Sequence, residues 1–118
     1  MTEMAFEASG IYELYTNERL IARLAAPGVE GYVLGRSDAG SPYVPDVDLA
    51  DYGALESGVS RRHAALVRFR NLIQIVDLGS VNGTFLNGGR LQPDQPYSLQ
   101  AGDVVQLGTL NLSLIKIK

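Results

Sequence analysis

A chain of 118 residues is long enough to bury one core but not two, and its 46% apolar content with mean hydropathy of +0.03 excludes both a disordered chain and a helical membrane protein. The net charge of −3 excludes a general nucleic-acid binder, which needs clustered Lys and Arg along a phosphate backbone. Cysteine is absent, so there is neither a disulfide framework nor a thiolate metal site.

Residues 1–10 have no clear period and read as a frayed terminus or short extension, leaving 11–118 as the domain. Met1-Thr2-Glu3-Met4 opens with an acid where a signal peptide carries bases, and no apolar run approaches the roughly 18 residues that span a bilayer, so a cytoplasmic setting without membrane contact is expected. Ile11–Tyr15 and Leu20–Leu24 flank a turn at Thr16–Arg19 and read as a first strand pair; a short helix over 17–26, capped by Asn17, is the competing reading. Gly31–Leu34 is a third strand running into Gly35-Arg36. A long loop, 37–59, follows, with Val47-Asp48-Leu49 its one strand fragment. Ala64–Phe69 and Leu72–Val76 form a hairpin about Arg70-Asn71. Phe85-Leu86 then turns at Asn87-Gly88, and Tyr97–Leu99, Val104–Leu107 and Leu110–Ile117 close the chain, with Leu110, Leu112 and Leu114 facing inward. Short strands at this spacing predict an all-β sandwich or barrel, with Val33, Leu66, Val67, Ile73, Ile75, Val76, Leu112 and Leu114 as its core.

A hairpin returns its chain to where it began, so Gly58–His63 and Ser80–Thr84 should sit together at one end of a sheet. Ser60, Arg61, Arg62, Ser80 and Asn82 would then converge as a donor-rich, metal-free cluster whose natural ligand is a phosphate or carboxylate. From Ser37 to Gly58 there are five acids (Asp38, Asp46, Asp48, Asp51, Glu56) and no Lys or Arg, so the rest of the chain is net positive by two, ten bases against eight acids. Arg36, Arg61 and Arg62 flank that acidic loop and create a local positive site in an acidic protein, suited to a small anion.

Other chemistries fit poorly. Ser60 and the sole histidine, His63, stand three residues apart at a strand entrance, without an oriented third partner or a nucleophile elbow. Asp46, Asp48 and Asp51 lack the spacing and glycine of a calcium loop, and Gly79–Thr84 lacks the lysine and following helix of a nucleotide phosphate loop. No enzyme and no cofactor is indicated.

Gly35-Arg36, Ser60-Arg61-Arg62-His63-Ala64, Asp77–Gly88 and the closing Gly102–Gly108 occur in an order that resembles the forkhead-associated (FHA) domain, over about residues 11–118. The resemblance implies a β-sandwich of two mostly antiparallel sheets, about eleven strands, whose loops at one end bind phosphothreonine peptides of a partner protein in signalling. Carried over by position, Arg36, Ser60 and Arg61 would bind phosphate and Asn82 the peptide main chain; Arg62, Ser80 and Val81 would flank. Gly35, His63 and Gly83 would be structural. Val81 is a departure, since the family often has threonine there; the acidic loop would either repel phosphate or select basic peptide residues. The rival is a phosphorylation-independent scaffold domain using a sheet face or the 37–58 loop. Partner identity and oligomeric state are not encoded in these motifs.

Overall fold

The computed structural model describes residues 5–118; residues 1–4, and with them the signal-peptide reading, lie outside it. Among the described residues, eleven strands form two sheets. In chain order they are β1 (Ile11–Thr16), β2 (Arg19–Ala25), β3 (Tyr32–Gly35), β4 (Val47–Asp48), β5 (Ala64–Phe69), β6 (Leu72–Asp77), β7 (Thr84–Leu86), β8 (Gly89–Arg90), β9 (Pro96–Ser98), β10 (Val105–Leu107) and β11 (Leu110–Lys116). One sheet has the order β2-β1-β11-β10-β7-β8, the other β4-β3-β5-β6-β9. Among the strand pairs of the described residues only β3–β4 is parallel. The β1–β2 hairpin turns at Asn17 with a φ of 53°, which disposes of the helix over 17–26. Arg70 and Asn71 both have positive φ, as do Asn87 and Gly88, the geometry of a two-residue turn matched to strand twist.

Leu34, Ala64, Leu66, Ile73 and Ile75 from one sheet meet Tyr12, Leu14, Val105, Leu107 and Leu112 from the other. Val33, Val67 and Val76, expected in the core, are only half-buried. They alternate with Leu34, Leu66 and Ile75, so the period of two puts them on the outer face. The loop after β4 is not purely irregular: a 3-10 turn (Ala50–Tyr52) ends at Gly53 and a single α turn, α1 (Ala54–Ser57), runs from there to Gly58, both glycines in the left-handed region, and the segment seals the core with Leu49, Ala54 and Val59. The described part of the expected extension is also structured. Ala5 and Glu7 bridge to Gln100 and Leu72, and Phe6 is buried against Tyr12, because an aromatic ring at the open end of a sandwich gains more by burial than by fraying.

Candidate functional site

Three connections meet at one end of the sandwich. Leu34 opposes Ala64, and Ala64 opposes Asp77, so the loops leaving β3, entering β5 and leaving β6 are neighbours by register alone. Gly35 allows the closest approach: a Cβ there would overlap the Arg61 carbonyl. The Arg36 amide donates to that carbonyl at 3.2 Å, and its Nε donates to the Val59 carbonyl at 2.9 Å. Arg36 is thereby held with its guanidinium lining an open cleft of about 470 Å³, whose other walls are Tyr43, Ser60, Arg61, Arg62, Gly79 and Val81. The nearest carboxylate, Asp38, stays 3.9 Å from Arg36 Nη1. Ser60 Oγ accepts the Val81 amide at 3.3 Å, leaving its proton free to donate.

His63 joins two of these loops. Fully buried, it accepts the Ser60 amide at Nδ1 (2.9 Å), so its proton sits on Nε2, which bonds the Gly83 carbonyl at 2.9 Å. Burial pushes its pKa below the usual histidine value, overcoming the Gly83 carbonyl and the Asp77 charge, which act upward. Gly83 has a φ of 88°, where a side chain would be strained and would meet the Arg90 guanidinium.

Asp77, at the end of β6, is the organiser that the sequence reading missed. Its Oδ2 accepts the amides of Gly79 (3.0 Å) and Ser80 (3.2 Å); its Oδ1 accepts the hydroxyls of Ser80 (2.6 Å) and Thr84 (2.7 Å). Burial raises its pKa, and these four donors more than reverse that, leaving it below the ordinary carboxylate value. An Asp closing a strand before Gly-Ser is the available signal, because Asp caps the amides that follow it. Asp48, midway along the acidic loop, likewise accepts the amides of Ser37 (2.9 Å) and Ala50 (3.0 Å), while Asp46 accepts that of Val33 (2.8 Å). Asp46 and Asp48 thus spend their charge on backbone amides of β3 and of the loop itself.

The expected five-residue convergence is met in part. Ser60, Arg61 and Arg62 line the cleft with Arg36 and Val81. Ser80 turns inward to Asp77 and also accepts the Gly83 amide at 3.0 Å. Asn82 Nδ2 donates to the Gly58 carbonyl at 3.0 Å, and the residue lines a neighbouring cleft with Gly58 rather than this one. Tyr43 joins the lining unforeseen, since only the folded path of the loop brings it there.

A two-sheet sandwich that presents an arginine-rich, hydroxyl-bearing cleft on loops at one end belongs to the class of loop-borne recognition domains. The chain is a member of the FHA-domain family, whose model matches residues 32–108. It is 31% identical over 98 residues to the human nuclear inhibitor of protein phosphatase 1, covering 81% of this chain and 25% of that protein, and so spans about a quarter of that relative's length. It is also 31% identical over 127 residues to the glycogen accumulation regulator GarA of Mycobacterium tuberculosis, covering 94% of this chain and 76% of that one. A solved structure from work on phosphothreonine-dependent FHA domain interactions superposes with a TM-score of 0.66 at 25% identity, over 92% of this chain and 98% of that one.

Proposed function

We propose that this chain is a phosphothreonine-peptide recognition module that mediates phosphorylation-dependent protein–protein interaction, without catalysis of its own. The observation that carries this reading is Arg36, anchored by Val59 beside the free proton of Ser60 in a cleft that also holds Arg61 and Arg62. A phosphate of charge about −1.5 to −2 entering that cleft is met by charge-assisted hydrogen bonds from Arg36, Ser60 and Arg61. Asn82, with Oδ1 uncommitted, takes the peptide main chain beside the cleft; Arg62 and Val81 border the phosphate, and Ser80 supports them through Asp77. The sole histidine is fully buried and occupied at both nitrogens, so it is not available to the cleft as a general base. The superposed phosphothreonine-dependent domain supports the ligand class. A cytoplasmic signalling role accords with it, and cell fractionation checks the compartment.

The test is fluorescence anisotropy with matched phosphothreonine, phosphoserine and unphosphorylated peptide pools. Selective saturation by phosphothreonine is expected, with Arg36→Ala weakening it roughly 10- to 100-fold, the loss of one charged hydrogen bond of roughly 1.5 to 3 kcal/mol. Equal binding of all three pools, or an interaction that survives phosphatase and Arg36→Ala but not alteration of 37–58, would replace this reading with the scaffold one.

A further inference from the structure

The outer faces of the two sheets differ in chemistry. On the six-stranded sheet the outward positions include the Glu13–Arg23 ion pair (2.6 Å), Gln106 and Asn111, as a wet antiparallel face should. On the five-stranded sheet the outward positions of β3, β5, β6 and β9 carry Val33, Val67, Phe69, Leu72, Val76 and Pro96, with Phe69 51% exposed. Among the described residues, no outward side chain on these four strands is charged. Its polar members, Gln74 and Ser98, bond each other at 3.3 Å, and Gln74 Oε1 is buried without a partner among the described residues, so the face sheds water even around its amide. We propose that this face is the interface of a two-fold homodimer, in which two copies of the chain pack sheet on sheet.

Charge complementarity selects a second copy as the occupant. Leu72, at the start of β6, has Phe69 beside it on β5 and Glu7 beside it on the opposite flank. Arg70 lies on the Phe69 side, its Cζ 5.2 Å from that ring's centroid. Arg70 and Glu7 are both exposed, and neither has an ion pair among the described residues. A two-fold axis along β6 exchanges the two flanks, so Arg70 of each copy meets Glu7 of the other, and the apolar face becomes its own complement. Four strands about 4.8 Å apart and five residues long at about 3.4 Å each give a footprint of roughly 300 Å². A standard interface takes about 800 Å² per partner, so the dimer is weak and forms at high concentration. This axis keeps strand direction and leaves both arginine clefts at one end. On the phosphothreonine reading the dimer therefore takes two phosphorylated segments of one partner together, although its assembly does not rest on that reading.

The experiment is sedimentation equilibrium of the whole chain without peptide, from about 10 μM to about 1 mM, the range of a weak interface. The mean mass is expected to rise above 12.7 kDa toward twice that value. Gln74→Arg sets like charges against each other on the axis and should weaken the dimer at least about 10-fold; Phe69→Ser, at an exposed ring, should weaken it as well. Arg70→Glu and Glu7→Arg should each weaken it about 3- to 10-fold, and the two together in one chain should restore it. Thermal melts establish that each variant is folded. A monomer at about 1 mM overturns the proposal and leaves the face to a different protein. A dimer that keeps its affinity in both Gln74→Arg and Phe69→Ser lies on another surface and overturns it too, and a charge exchange that fails to restore association overturns the axis along β6.

Discussion

His63 combines structure and titration in one side chain. As an acceptor at Nδ1 and a donor at Nε2 it satisfies one group from each of two loops. Protonation would put a second N–H against the Ser60 amide, which agrees with a folded pKa pushed down by burial. The unfolded chain therefore binds more protons once pH drops below about 6.5, and the folded state loses stability as pH falls from there toward the lower folded value. Asp77, Asp48 and Glu13, whose folded values also lie low, act with the same sign but only below about pH 4.5. Between pH 7 and 5 the dependence of Tm should belong to His63. Thermal melts are expected to show a falling Tm over that range in the wild type and a flatter profile in His63→Gln; parallel profiles would dissociate the histidine from it.

At the scale of elements, what could be read from the chain followed turn chemistry. Asn71 and the Asn87-Gly88 pair tolerate positive φ, so the hairpins they close were legible, and with them the neighbourhood of Ser60 and Val81. The single turn α1 was not, since four residues are too few to display a helical period and it is defined by Gly53 and Gly58 at its ends. Nor was the place of Tyr43, which depends on how Asp46 and Asp48 pin the loop through amides distant in sequence. Ser80 and Asn82 were assigned to the right loop but not to the right direction, because Asp77 takes the first hydroxyl and Gly58 the second amide. The loop from 78 to 83 thus rests on one carboxylate. Asp77→Ala should cost about 2 to 4 kcal/mol, since it leaves the buried Thr84 hydroxyl and three further donors without their acceptor. A lower urea midpoint at unchanged m is the expected result, together with weaker phosphopeptide binding although Asp77 does not line the cleft. Unchanged affinity in the folded variant would mean that the cleft does not depend on this scaffold.

For the whole molecule, binding and closure of the core lie at opposite ends of the same hairpin. The Ala64–Asp77 end carries the cleft, while at the other end Ile73 donates its amide to Phe6 and Leu72 bridges to Glu7. Phe6 also donates its amide to Leu99, so a segment without any sequence period ties both flanks of β6 and β9 and inserts its ring edge-on against Tyr12, 5.3 Å between centroids. Its contribution comes from apolar burial, which falls on global stability, and none of its contacts reaches the arginines. Phe6→Ala is therefore expected to cost about 3 kcal/mol, a drop in Tm of roughly 10 to 15 °C. At a temperature where both proteins are folded, phosphopeptide affinity should stay within about twofold of wild type, the scatter expected for distant sites that do not couple. A large affinity loss in the fully folded variant would instead mean that the core transmits strain along β5 and β6 from one end of the sandwich to the other, and that the cleft depends on how its far end is closed.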